Sequence, residues 1–561
     1  MTIKSVLKKI VILVLLFLIS YRAFSSLLRP GYFPMHDDMQ AMRLLQIDKC
    51  IKDGQIPCRW VPDMGYGYGY PQFNYYSPTP YYIMEGFHLV GLGYLDSVKA
   101  GFVLSVILSA IGMFLLGNSL WGVNGGMLSA LVYVYAPYRA VDMYVRGGVG
   151  EIWAMAFVPF VFWAIYLVML GKRKSIVWLA LSTSLLFTSH NITSMIIFPI
   201  FIAWILFLMY INAKYSSSSL KKNAFYAGLG IFWGILISAF FIFPAWIEKG
   251  YVHIETLISG YFNYLAHFVS IGQLLFSSYW GYGTSQAGPY DELSFAVGIL
   301  QWVLPFLILL CTIILKRKRE FLMVLFFTLL GWVSLFLTHQ KSVWIWNHLA
   351  ILSYLQFPWR FLLPAMFSFS LAIGGVSTLV KNNRNFYLFI FLPIFFLSMI
   401  FYGRFFRPGT WLNLTDKEKF SGDLWVREET VSIFDYLPIY AKHPPNHEAP
   451  NEPIIFAGNA NIVNGKKGTD WQVWNMDILG EEAKVNLPIY DFPIWKVWVD
   501  SIEVNVTHDN ELGLVTITLS EGSHEVLARL TNTPVRCASN VITITALVAI
   551  PIFLTKEKRK K

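Results

Sequence analysis

Residues 152–170 read Ile-Trp-Ala-Met-Ala-Phe-Val-Pro-Phe-Val-Phe-Trp-Ala-Ile-Tyr-Leu-Val-Met-Leu, with Glu151 before them and Gly171-Lys172-Arg173-Lys174 behind. The run is uncharged and has about the length that a helix needs to cross the hydrocarbon of a bilayer. Eleven further apolar stretches resemble it, some at the short end of that length: Ile10–Tyr21, Ala100–Leu116, Met127–Ala136, Ile176–Phe187, Met195–Ile211, Phe225–Phe243, Phe295–Leu315, Phe321–Leu337, Phe361–Val380, Phe386–Tyr402 and Val541–Leu554. The expected fold class is therefore an all-α membrane protein of about 12 transmembrane helices.

Composition agrees. Of 561 residues, 55% are hydrophobic and only 14% charged, against about 25% charged in soluble chains. The formal charge of +10 would suggest a nucleic-acid partner if it were spread over a soluble surface. Instead it sits in six clusters: Lys4, Lys8, Lys9; Lys172, Arg173, Lys174; Lys214, Lys221, Lys222; Lys316, Arg317, Lys318, Arg319; Lys381, Arg384; and Lys556, Lys558, Arg559, Lys560, Lys561. With twelve spans all six fall on one side, as cytoplasmic loops require. These segments hold 20 basic residues and two acids, Glu320 and Glu557, so the rest of the chain carries 10 − 18 = −8. No nucleic-acid partner is expected. Both termini are expected in the cytoplasm of a multi-pass cell-membrane protein. The first stretch reads as a retained anchor, since Tyr21, Arg22 and Ala23-Phe24-Ser25 make a poor cleavage site.

The expected organisation is a multi-span domain over residues 1–403 with a first outer loop at 27–98, an extracytoplasmic domain at 404–536, and a final transmembrane helix with a basic cytoplasmic tail at 537–561. Smaller outer segments run over Pro137–Gly150 and Trp246–Ser294. Trp495–Val499, Ile502–Val506, Leu514–Leu519 and Glu525–Leu530 are β-branched or aromatic runs, with turn residues at Asp509, Asn510 and at Glu521, Gly522, Ser523. They predict a small antiparallel β domain, whose plainest role is that of a lid or support.

The first outer loop concentrates chemistry. His36-Asp37-Asp38 precedes an amphipathic pattern through Ala41, Met42, Leu44, Leu45 and Ile47, which places both acids at the start of a short helix along the membrane. One acid suffices to cap that helix. Alternatively, one is a general base on an acceptor hydroxyl, and the other orients it or helps hold a divalent cation. From Asp63 to Tyr82, tyrosines alternate with Gly and Pro, including Tyr70, Tyr75 and Tyr76. These rings suit an interfacial belt and equally the apolar face of a sugar. Arg139, Arg146 and Arg360 are expected near the outer face, where a guanidinium fork matches phosphate; ion pairing with Asp142 or Glu151 is the plainer reading. His190 and Asn191 break an apolar run and are either functional or joined in an interhelical hydrogen bond.

Cys50 and Cys58 are separated by seven residues that include Asp53-Gly54 and Pro57. That turn signal brings the two within disulfide range on an oxidising side. Cys311 and Cys537 lie in or beside apolar spans and do not compete.

His36-Asp37-Asp38, Tyr75-Tyr76-Ser77-Pro78, Arg146-Gly-Gly-Val-Gly-Glu151, Gln356-Phe357-Pro358-Trp359-Arg360 and Asp435-Tyr436-Leu437-Pro438 together resemble a family of prokaryotic polytopic membrane proteins. That family carries the label "6-pyruvoyl-tetrahydropterin synthase-related" and is similar to the GT-C superfamily of glycosyltransferases. The soluble enzyme behind the label binds zinc through histidines, whereas this sequence has no His-x-His. The GT-C resemblance implies transfer of a sugar from a polyprenyl-phosphate-type carrier to a glycan, lipid or protein acceptor outside the cytoplasm. It implies Asp37 or Asp38 as catalytic acid; the chemistry of the residues themselves adds Arg146, Arg360 and Arg139 as expected donor-phosphate contacts, and His36, Tyr70, Tyr75, Tyr76, Glu151 and His190 as expected sugar or acceptor contacts. A divalent metal, with Asp38 or Glu151 as ligand, remains open, since no clear Asp-x-Asp is present. Two rival functions are a flippase for lipid-linked glycans and a non-catalytic assembly factor that works through its β domain.

Overall fold

The computed structural model describes residues 3–215, 220–287, 290–380 and 382–559; Lys381, Lys560 and Lys561 of the basic clusters lie outside them. Among the described residues eight helices are long and apolar enough to cross a membrane, or nine if the bent pair Leu220–Ile237 and Ala239–Ile247 is one span. Two more apolar helices, Ser175–Phe187 and Ile299–Ile314, are shorter.

The expected figure of about twelve differs from this for physical reasons. Ala100–Leu116 and most of Met127–Ala136 belong to a single helical segment, Tyr94–Val134, whose backbone leaves helical geometry at Gly122 (φ 78°, ψ 178°). A Cβ built on Gly117 would lie 2.9 Å from the Cα of Gly126, so the segment folds back on itself there. Only glycine takes that positive φ without strain. Phe225–Phe243 is broken by 74° at Ser238. The break frees a backbone amide at Phe240, and Thr543 Oγ1 of the last helix, Pro534–Arg559, accepts it at 2.9 Å. An apolar environment tolerates irregular backbone only when such partners are supplied.

The C-terminal sheet has six antiparallel strands: β1 (Ile454–Ala457), β2 (Ala460–Lys467), β3 (Trp471–Tyr490), β4 (Trp495–Val499), β5 (Ile502–Val504) and β6 (Leu514–Leu530), in the order β1-β3-β6-β4-β5, with β2 also paired to β3. The turn expected at Glu521-Gly522-Ser523 is absent. β6 runs straight through it because β3 is longer still, 20 residues against 17, and pairs with it on both sides, Ile478 opposite Gly522 and Glu482 opposite Ser520, with a register shift between. Trp474, Met476, Val485, Ile517 and Val526 are buried on one face of the sheet. Trp60 of the first loop packs against Phe492 and Trp495, both at 5.6 Å between ring centroids. The sheet thus rests on the first loop and roofs it.

That loop contains the helix Gln40–Asp53, whose N-cap residue is Met39. Neither Asp37 nor Asp38 caps it, so the capping account of these acids falls away. Cys50 and Cys58 are joined by a disulfide with Cα atoms 5.6 Å apart. Gly65, Gly67 and Gly69 all have positive φ, and the Tyr-Gly segment forms no regular helix.

Candidate functional site

A cavity of about 1030 Å³ opens between the first loop, the break at His190-Asn191, the bent helix pair and the segment before Arg360. Its lining combines polar residues, His36, Asp37, Arg43, Arg146, Glu151, Arg360 and Asp435, with apolar ones that include Phe198, Ile235, Phe241, Ile242 and Leu352.

The backbone pins the acids in place. His36 N donates to Val145 O at 3.0 Å and Asp37 N to Arg146 O at 2.9 Å. Gln40 Nε2 donates to both Asp37 O and Gly147 O at 2.8 Å. Arg43 Nη1 then donates to Asp37 Oδ1 at 3.0 Å and Oδ2 at 2.8 Å, and Tyr76 OH donates to Oδ2 at 3.3 Å. The Arg43 side chain is 3% exposed and the Asp37 side chain 33%. Asp37 is therefore oriented by its partners yet open to the cavity.

Asp38 points elsewhere. Its Oδ2 pairs with Lys419 Nζ at 3.1 Å, and the same Nζ pairs with Glu428 at 2.6 Å. All three are nearly buried, and Asp38 does not line the cavity. Burial raises the Asp38 carboxyl above the usual range while Lys419 counteracts it. Burial also pushes Glu428 up to about 7.

The arginines divide three ways. Arg146 pairs with Asp142 and, at 2.9 Å, with Glu151, and lies 4.4 Å over the Trp359 ring. Arg360 Nη1 donates to Leu355 O at 2.8 Å and Gln356 Oε1 at 3.0 Å. Its Nε has no hydrogen-bond partner among the described residues, with Glu151 the nearest carboxylate at 3.9 Å. Arg139 is fully buried, donates to Tyr133 O and Ser109 Oγ at 3.2 and 3.0 Å, and does not reach the cavity. Its apolar surroundings and local partners make it a structural brace, not a phosphate contact.

Tyr75, Tyr76, His36, Glu151 and His190 border the cavity, whereas Tyr70 does not. The Tyr70 hydroxyl donates to Ser432 O at 2.9 Å and accepts from Tyr436 N at 2.6 Å, which uses its polar end. Glu151 accepts from Tyr138 OH at 2.6 Å besides its arginines. The metal expectation has no donor set: Asp38 and Glu151 are committed to separate cations, and no group of three or more His, Cys, Asp or Glu among the described residues could hold an ion.

Three cavity residues were not expected from sequence. Arg43 lies on the amphipathic helix Gln40–Asp53, between Met42 and Leu44, where nothing in the local sequence marks it. Lys249 has no ion pair among the described residues and sits over Trp246 and Tyr354, 5.1 and 5.7 Å from their ring centroids. Asp435 belongs to a motif that sequence singled out without a role; burial pushes its carboxyl up to about 6, with Arg43 opposing.

No protein-family model matches the chain. A protein of Lactococcus lactis subsp. cremoris (strain MG1363), described as an uncharacterized protein, is 26% identical over 231 residues, covering 39% of this chain and 35% of that one. The aligned part thus spans about a third of that relative's length. Among solved structures, the chain is similar to the arabinofuranosyltransferase AftD from Mycobacteria (TM-score 0.44, 14% identity, 72% of this chain and 27% of that one). It is similar too to the Archaeoglobus fulgidus oligosaccharyltransferase tethered with an acceptor peptide (TM-score 0.41, 12% identity, 72% and 55%).

Proposed function

We propose that this protein is an integral membrane glycosyltransferase that moves a sugar from a polyprenyl-phosphate-type carrier to an acceptor outside the cytoplasm. The observation that carries the reading is one cavity with two chemistries in its lining, an oriented carboxylate and several cations together with many apolar side chains. A phosphate-linked sugar on an isoprenoid chain combines the same two chemistries.

In this reading Asp37 takes the proton of the acceptor hydroxyl. The acceptor oxygen bonds to the anomeric carbon as the bond from that carbon to the carrier phosphate breaks, and the phosphate leaves with the electron pair. Lys249, which has no ion pair among the described residues, and Arg360, whose nearest carboxylate oxygen is 3.9 Å away, stabilise the departing charge. Arg146 already answers Asp142 and Glu151, so it serves mainly to hold Glu151 and the wall beside it. Asp38 acts one step removed, through the position of the turn it shares with Asp37. No step is routed through a metal.

The test is to supply purified protein with a polyprenyl-phosphate sugar and a hydroxyl acceptor and to follow release of polyprenyl phosphate. Release that needs acceptor and is lost in Asp37→Asn supports the reading. Movement of the intact donor across a vesicle membrane without any release, unchanged in Asp37→Asn, would replace it with the flippase alternative.

A further inference from the structure

A second concavity, of about 490 Å³, is bordered by Arg22, Ser26, Arg29, Tyr282, Arg407 and Gly409. It joins three distant parts of the chain: the end of the first helix, the loop around Tyr282, and the start of the C-terminal domain. No carboxylate lines it. None of its three guanidiniums makes an ion pair or hydrogen bond among the described residues.

Three features make this more than a scatter of surface charge. Arg29 is held in place by the Trp411 ring, with its Cζ 4.0 Å from the centroid, which leaves the N–H edge free. The floor is built: Tyr282 OH donates to Arg407 O at 3.0 Å, and a Cβ on Gly409 would lie 2.9 Å from Tyr282 Cγ, so the ring rests directly on that backbone. Finally, the net charge outside the basic cytoplasmic clusters is negative by sequence, so acidic partners for these arginines were available. The chain leaves them unused here, although three guanidiniums around one hollow repel each other. Orientation in the membrane does not need them either, since that bias acts through cytoplasmic loops.

We propose that this pocket binds a phosphate group, as a monoester or diester, because guanidinium forks are matched to phosphate oxygens in number and direction. The site is separate from the main cavity and shares one wall with it: Tyr282 O lies 3.0 Å from His36 Nε2, next to Asp37. The proposal does not depend on sugar transfer. The phosphate can come from an anionic lipid headgroup or from a soluble phosphorylated molecule, and the experiment separates these sources.

Full-length protein is placed in phosphatidylcholine nanodiscs and titrated with inorganic pyrophosphate by calorimetry. In parallel, protein in micelles doped with phosphatidylglycerol is examined by native mass spectrometry for retained lipid. The triple variant Arg22→Gln, Arg29→Gln, Arg407→Gln is compared with Lys466→Gln, Lys484→Gln, Arg529→Gln, which removes equal charge from the exposed face of the sheet. The expected result is a loss of at least about tenfold in affinity or retention for the first triple only, equivalent to about 1.4 kcal/mol. A loss confined to pyrophosphate identifies a soluble phosphate; a loss confined to phosphatidylglycerol identifies a headgroup. Equal behaviour of wild type and both triples in both arms, or equal loss in the two triples, overturns the site. Should the first triple not fold, Arg407→Gln alone is read in the same two assays against the same criterion.

Discussion

Glu248 and Arg536 are 288 residues apart in sequence and meet in a buried ion pair, with Arg536 Nε and Nη2 each 2.8 Å from Glu248 Oε2. Asn74 Nδ2 donates to the same oxygen at 3.1 Å, Thr533 Oγ1 to the other at 2.5 Å, and Tyr75 OH to the Glu248 carbonyl at 2.7 Å. One carboxylate therefore ties together the first loop, the bent helix pair and the last helix. Lys249 and Tyr75, its neighbours in chain and space, form part of the cavity wall.

Breaking this pair from either side should destabilise the fold strongly. Glu248→Gln or Arg536→Gln alone is expected to cost about 3–5 kcal/mol, because each leaves a buried charge without its partner. The double change should cost less than the sum of the two. Thermal unfolding in detergent measures all three, and additive losses would mean that the pair acts independently.

Asp37→Asn should reduce transfer by about 10²- to 10⁴-fold, the range for loss of a general base, and should also lower the unfolding midpoint, because the nearly buried Arg43 loses its carboxylate. Asp38→Asn should lower the midpoint with a much smaller loss of turnover, since its partner is Lys419 and it does not line the cavity. Turnover and thermal unfolding on the same preparations distinguish them. Wild-type turnover in both single variants would remove the catalytic assignment.

Arg360→Ala and Lys249→Ala should each weaken donor binding by about 10- to 100-fold, as expected for a charged hydrogen bond of about 1.5–3 kcal/mol. Arg360→Lys should recover part of the loss, keeping charge without the fork. Arg146→Ala should unfold more easily than either, because Asp142 and Glu151 lose their common partner. Equilibrium binding of a polyprenyl phosphate checks the first two, and an unchanged affinity moves the phosphate elsewhere.

Replacing both Cys50 and Cys58 by Ser should cost about 2–3 kcal/mol, the chain-entropy value for so short a loop. In unfolded wild-type protein Cys311 and Cys537, the two free cysteines, should react with a thiol reagent before reduction and all four cysteines after it. Four reactive thiols without reductant would show the bridge unformed.

Glu428 gives a pH dependence with a defined sign. Its carboxyl is pushed up to about 7 in the folded state, from an ordinary value of 4.5, so the folded protein binds this proton more tightly than the unfolded chain. Its favourable contribution is complete below the ordinary carboxyl range and is lost as pH rises through about 7. Between those limits stability should fall with rising pH, and Glu428→Gln should flatten that part of the curve. Unfolding midpoints across the range test it; an unaltered slope in the variant would assign the proton to another group.

The membrane character was legible because apolar length is a local property, and every one of the twelve stretches falls wholly or largely in helix. The reversal at Gly122 and the break at Ser238 were not, since each depends on a packing partner that sequence does not name. β4 was read to its ends, while β3 was missed: its 20 residues alternate buried and half-buried only over the first half, and its polar Asp477, Glu481 and Glu482 obscure the pattern. At the cavity, unusual local composition drew attention to His36, Asp37, Arg146 and Arg360. Lys249 and Arg43 stand in unremarkable surroundings and acquire meaning only through what the fold brings opposite them. Tyr70 and Arg139 failed for the converse reason, as a polar tip on a large side chain serves internal hydrogen bonds as well as ligands.

The sheet is held at both ends by apolar helices, Asn383–Phe405 before it and Pro534–Glu557 after it. In a chain made from its N-terminus on the ribosome, the strands are synthesised before the last helix exists to anchor them. Until then Glu248 waits with only first-loop partners, and the break at Ser238 has no Thr543 to meet its open amide. Arrival of the final helix therefore supplies both missing partners, Arg536 for the Glu248 carboxylate and Thr543 for the Phe240 amide, and only then is the segment that carries the cavity residue Lys249 tied down.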